Sequence, residues 1–117
     1  MIKIVVIGAS GRMGRTIIGC IEDTQGVAIV GGTEYIGHSS IGRDLGELAG
    51  IGKKELFVVE NIEDALVNCD VIIDFSTPES SIKTLNVAVS CDKSIVIGTT
   101  GFSKEQKQII AQAAKKN

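Results

Sequence analysis

The sequence predicts an α/β protein built on a parallel sheet with helices on both faces. Two observations lead there. Short runs rich in Ile and Val alternate with helix-period stretches along the whole chain, and the strand runs are apolar nearly throughout rather than at every second residue. Strands buried on both faces have that second property. The chain has 117 residues, enough for one compact unit, with 44% hydrophobic and 22% charged residues. Ile and Val together number 29, which supplies a core and excludes disorder as the main state.

The elements follow in order. Ile2–Ile7 is a strand, apolar apart from Lys3. Met13–Asp23 carries Met13, Ile17, Ile18 and Ile21 at helical spacing. Val27–Gly31 is a second strand. Thr33–Gly52 holds five glycines and reads as a loop with a short helical turn at Leu45–Ala49. Leu56–Val59 is a third strand, and Asn61 caps a short helix over Ile62–Val67 with Asp64 at its third position. Val71–Phe75 is the fourth strand. Thr77-Pro78-Glu79 then supplies a cap, a proline at the first helical position and an acid in the first turn of a helix to Ser90. Ser94–Ile97 is the fifth strand. Ser103 and Gln106 form a capping box for a last helix, Lys104–Lys116. The expectation is thus about five strands, with right-handed crossovers.

Composition narrows the function. Net charge is −2 with no basic block, and aromatics are 3% with no Trp, which argues against nucleic-acid or anionic-membrane partners. No apolar run approaches the ~18 residues of a membrane span, and Met1-Ile2-Lys3 leads directly into the first strand, so no signal peptide is expected. Cys20, Cys69 and Cys91 fit neither a disulfide framework nor a zinc pattern; they are expected to be small buried hydrophobes in a reducing cytoplasm. No metal is expected.

The chemistry sits at strand ends. Gly8-Ala9-Ser10-Gly11-Arg12-Met13-Gly14 follows the first strand and opens the first helix. Glycines there permit a tight turn, close approach of a pyrophosphate to the backbone and contact of helix with strand, while the helix-start amides face the phosphates. The spacing is G-x-x-G-x-x-G rather than G-x-G-x-x-G, and a plain packing turn is the alternative. Together with the strand–helix alternation this makes the expected fold a Rossmann-like doubly wound sheet. Glu34 ends the second strand, 20 residues after Gly14, where a carboxylate accepts from adenosine ribose hydroxyls. Tyr35 follows it, and no Arg or Lys adjoins, which favours NADH over NADPH; Arg12 keeps dual use open. Phe75 and Gly98-Thr99-Thr100 lie at later strand ends, with room for a nicotinamide ring and its ribose, though Phe75 reads equally as core. Asp74 reads as a structural acceptor before a catalytic acid, and His38 as a solvated loop residue.

Four segments in order, G-A-S-G-R-M-G (Gly8–Gly14), D-L-G-E-L-A-G (Asp44–Gly50), D-F-S-T-P-E (Asp74–Glu79) and V-I-G-T-T-G-F (Val96–Phe102), resemble the amino-terminal domain of the dihydrodipicolinate reductase (4-hydroxy-tetrahydrodipicolinate reductase) family. The resemblance runs through essentially the whole chain. It implies a reductase of the diaminopimelate–lysine pathway that passes hydride from NADH or NADPH to a cyclic unsaturated dicarboxylate, as a cytoplasmic homotetramer. It places Gly8, Ala9, Ser10, Gly11, Arg12 and Met13 at the pyrophosphate, Glu34 at the adenosine ribose, and Gly98, Thr99 and Thr100 on the nicotinamide side; Tyr35 and Phe75 complete the candidate cofactor-binding residues. Family members that use NADPH well often carry Arg where Tyr35 stands. The family also has a second domain with a His-rich segment, a catalytic Lys and a serine–glycine loop, none of which occurs here. Residues 1–117 are accordingly expected to form one dinucleotide-binding domain, incomplete at its C-terminal end, with no catalytic residues of its own, inactive alone and monomeric or weakly dimeric. Two other readings use the same fold: a non-catalytic nucleotide-binding or redox-sensing module, and a sheet protein that binds CoA or a mononucleotide.

Overall fold

The computed structural model describes residues 1–115. The elements are β1 (Ile2–Ile7), α1 (Arg12–Glu22), β2 (Val27–Thr33), α2 (Leu45–Ala49), α3 (Ile62–Ala65), β3 (Val71–Asp74), α4 (Pro78–Ser90), β4 (Ser94–Ile97) and α5 (Lys104–Ala114). The four strands are all parallel, in the order β2-β1-β3-β4. The α/β, Rossmann-like arrangement expected from the alternation is therefore present, with four strands in place of five.

The difference lies at Leu56–Val59, which makes two isolated bridges and no strand. Its backbone is shared between two neighbours. Val59 bonds Gly32 and Glu34 beside β2, whereas Leu56 and Val58 bond Gly42, Arg43 and Leu45 of the preceding loop. Glu55 turns the chain with φ 57° just before it. Each side thus receives one bridge, Thr33 to Val59 and Asp44 to Phe57, and a single bridge makes no ladder.

β1 is the central strand, and Ile4, Val5, Val6 and Ile7 are all buried. Alternate side chains feed two cores. Ile4 and Val6 pack with Ile18 and Ile21 of α1, Leu45 and Val58; Val5 and Ile7 pack with Leu66, Ile72 and Ala88 on the α3–α4 side. Helix α1 buries Gly14, Ile18 and Ile21, an i, i+4, i+7 stripe. Met13, expected on that stripe, is 49% exposed, because Gly14 takes the position nearest the sheet.

The caps form as the sequence dictates. Asn61 accepts from Glu63 and Asp64, Thr77 from Ser80 ahead of Pro78, and Ser103 and Gln106 close a reciprocal box. The last helix ends at Ala114, and the expected continuation to Lys116 lies outside the described residues. Of the cysteines, only Cys69 is buried; Cys20 and Cys91 are exposed, at surface positions of α1 and just past α4, which corrects the expectation of three buried thiols.

The glycine-rich segment before Leu56 is tied down by Asp44. Its carboxylate accepts from the backbone of Gly46, Glu47, Lys54 and Glu55 at 2.7–3.2 Å. Burial alone would raise the Asp44 pKa, but these four N–H donors outweigh it and hold the carboxyl below its ordinary value.

Candidate functional site

From β1 the chain steps to β2 on one side and to β3 on the other. A sheet of that order leaves a crevice beyond the carboxyl ends of β1 and β3. A cleft of about 700 Å³ opens there, lined by Gly8, Ser10, Gly11, Glu34, Tyr35, His38, Phe75 and Ser76 among others.

The turn between β1 and α1 is built by two glycines the fold itself requires. Gly8 has φ +78°, and a Cβ on it would stand 2.7 Å from the Phe75 carbonyl oxygen. A Cβ on Gly14 would stand 2.2 Å from the Gly8 oxygen and 2.8 Å from that of Ala9. Gly11 is different. Its φ is −70°, and a Cβ would meet nothing nearer than the Gly8 oxygen at 3.4 Å. Packing does not explain glycine at that position. Gly11 is also the N-cap of α1, with no side-chain bond, and no acid stands in the first turn. The other described helices are capped by Asp44, Asn61, Thr77 and Ser103. The start of α1 thus offers its amides and dipole to an external anion.

Just past β2, Glu34 Oε2 accepts from the Ser10 N–H at 2.9 Å and the Ser10 hydroxyl at 2.5 Å. Below the cleft floor, Asp74 is fully buried. Its Oδ1 accepts from the Ser76 hydroxyl at 2.6 Å, and Oδ2 has no partner among the described residues. Burial pushes the Asp74 pKa up, against the pull of the Ser76 and Ser81 hydroxyls. Thr99 Oγ1 accepts from the Ser76 N–H at 2.9 Å and the Ser81 hydroxyl at 2.7 Å, locking the loops after β3 and β4 together.

Residues 2–117 match the family described as dihydrodipicolinate reductase, N-terminus. The chain belongs to that family. A 4-hydroxy-tetrahydrodipicolinate reductase of Geotalea uraniireducens is 44% identical over 98% of this chain, and one of Hahella chejuensis is 40% identical over the same share. The chain spans 43% of the length of these relatives. Among solved structures, a dipicolinate-bound dihydrodipicolinate reductase from Paenisporosarcina sp. TG-14 superposes with a TM-score of 0.74 at 28% identity, covering 97% of this chain and 43% of its own. An amine dehydrogenase from Mycobacterium smegmatis superposes at 0.72 and 25% identity, over 82% of this chain and 29% of its own.

Within the chain the candidate residues divide in two. Gly8, Ser10, Gly11, Glu34, Tyr35 and Phe75 meet at the cleft. Ala9 is buried, and its N–H, like that of Gly8, is bonded to the Thr33 oxygen. Arg12 and Met13 are exposed on the first turn of α1, outside the lining. Gly98 packs under the Phe75 ring, Thr99 belongs to the hydroxyl network, and Thr100 is exposed beside it. Asp74, read as a structural cap or loop-amide acceptor, accepts from the Ser76 hydroxyl. His38, read from the sequence as a solvated loop residue, instead lines the cleft, half-buried, with its ring edge-on to Tyr35 at 4.7 Å. The signal available was its position four residues after Glu34.

The Asp74 environment has a consequence for stability. A carboxyl whose folded pKa lies above its ordinary 3.8 binds its proton more tightly in the folded state. Its contribution is therefore complete below about pH 3.8 and is lost as pH rises through the folded value. Asp74→Asn keeps the shape and removes this loss. Thermal unfolding midpoints should show the variant gaining on the wild type as pH rises from 4 toward neutral, by about one to a few degrees; parallel curves would contradict the assignment.

Proposed function

We propose that residues 1–117 are the NAD(P)H-binding domain of a 4-hydroxy-tetrahydrodipicolinate reductase. The cleft takes the cofactor with its pyrophosphate at the Gly8–Met13 turn, on the Arg12 and Met13 amides that open α1, its adenosine ribose against Glu34 and Tyr35, and its nicotinamide end toward Phe75 and Gly98–Thr100. The observation that carries this reading is Gly11: an uncapped helix start, at a glycine that packing does not require. A cofactor phosphate accounts for both features. The reduced dinucleotide supplies hydride; the residues of this chain bind and orient it. In the longer protein the acceptor is a cyclic unsaturated dicarboxylate of the diaminopimelate–lysine pathway, and that protein works as a cytoplasmic homotetramer.

NADH is the preferred cofactor in this reading. Glu34, Glu60 and Glu79 face the cleft and Lys83 is the cation among its lining residues. A 2′-phosphate beside Glu34 meets like charge, whereas a 2′-hydroxyl donates to it. Fluorescence titration of the purified chain should show NADH bound more tightly than NADPH. Glu34→Ala should weaken NADH about 10- to 100-fold and narrow the difference between the two. Absence of binding by either, or displacement by CoA and not by NADH, would contradict the proposal.

A further inference from the structure

His38 is held in one orientation and one tautomer. Its Nδ1 lies 3.0 Å from the Ser40 backbone N–H, which can only donate, so Nδ1 presents its lone pair. The buried Ser40 hydroxyl is 2.8 Å from the same nitrogen. The loop is closed around the ring by His38 N–H to the Tyr35 oxygen and Ile41 N–H to the His38 oxygen, both 3.1 Å. In the neutral imidazole the remaining proton is therefore on Nε2. That nitrogen faces Ser10 Oγ at 3.5 Å, beyond a good hydrogen bond, while Ser10 Oγ is already committed to Glu34. A fixed donor, Nε2–H, and a fixed acceptor, Glu34, thus stand on either side of one hydroxyl.

We propose that His38 is a specificity-determining residue, which donates its Nε2–H to the adenosine 2′-hydroxyl of a bound dinucleotide while that hydroxyl donates to Glu34. The inference rests on the dinucleotide occupying this cleft. A hydroxyl both accepts and donates, so it can satisfy the pair; in the free protein Ser10 Oγ serves Glu34 alone and stands too far from Nε2. A 2′-phosphate has no proton for Glu34 and cannot satisfy both. His38 and Glu34 together then read the absence of a phosphate, and His38 acts as a hydroxyl donor, not as a cation for a phosphate.

Affinities for NADH and NADPH in the wild type, His38→Ala and His38→Gln test this. His38→Ala should weaken NADH about five- to tenfold and leave NADPH within about twofold, and His38→Gln, which keeps a donor, should recover part of the loss. A larger loss for NADPH would make His38 a phosphate-binding cation and overturn the proposal, as would an unchanged ratio in both variants. A second readout needs no variant: nitrogen-15 spectra of the wild-type imidazole should show the proton on Nε2 and a shift of that signal on adding NADH. A proton on Nδ1, or an Nε2 signal indifferent to bound NADH, would overturn it. If wild type binds neither cofactor, the proposed function fails first; if it binds NADH with the imidazole unaffected, the role of His38 alone fails.

Discussion

Gly11→Asp should abolish NADH binding while leaving the fold as stable as the wild type, or more so. The two effects separate because the protein makes different demands at the three glycines of the turn. At Gly11 the backbone is ordinary, φ −70° and ψ 170°, and a Cβ has room. Asp is a favoured N-cap, and its carboxylate would bond the free amides of α1 and complement the dipole. That gain is about 0.5–1 kcal/mol relative to an uncapped start. The same carboxylate would stand where the pyrophosphate is proposed to bind, adding repulsion to lost space, so affinity should fall at least ~100-fold. Gly14→Val should instead lower stability and binding together. Its Cβ would collide with two carbonyl oxygens, at 2.2 and 2.8 Å, and backbone cannot swing aside as a side chain can. The cost should be about 3 kcal/mol or more, a large share of the ~5–15 kcal/mol that holds a domain of this size. Equal melting curves for Gly14→Val and wild type, or full NADH affinity in Gly11→Asp, would contradict this division.

Gly98→Val should expel the Phe75 ring. A Cβ at Gly98 would lie 2.1 Å from Cε1 and Cζ of Phe75, so the ring cannot remain. Phe75 also lines the cleft, and Gly98 N–H bonds the Asp74 oxygen at 2.8 Å where the loops after β3 and β4 meet. The displaced ring has the cleft to move into. Overpacking of this kind costs about 1–3 kcal/mol, and NADH affinity should fall with it. Adding Phe75→Ala removes the collision, so Gly98→Val should cost less in that background than in the wild type; additive losses in the double variant would show that the two residues do not press on each other.

How much of this could be read from the sequence follows from which interactions are local. The capping residues Asn61, Thr77 and Ser103 act within one helical turn, and each cap formed as written. The glycine turn and Glu34 were legible as a strand-to-helix junction and a strand end, both set by chain order. What could not be read depends on long-range partners. Leu56–Val59 has strand composition, but its hydrogen bonds are divided between β2 and the 42–45 loop, and no local pattern encodes that division. Asp44 gathers donors up to 11 residues away, which orders a segment that reads as plain loop. His38 acquires its place only when Ser40 turns the ring toward Ser10, 28 residues earlier in the chain. Gly98 and Thr99 were legible as strand-end residues; their contacts with Phe75, Ser76 and Ser81, 18 or more residues away in the chain, were not.

The central claim is that main-chain amides at the β1–α1 junction hold the cofactor's diphosphate. Backbone amide spectra of the nitrogen-15-labelled chain during an NADH titration test it most directly. The predicted result is that the largest, saturable shifts fall on Ser10, Gly11, Arg12 and Met13, with smaller ones at Glu34 and Phe75. Shifts confined to the groove that Asn86 and Val89 of α4 line with Ile109 and Ala113 of α5, or a junction left unmoved while NADH binds, would contradict it.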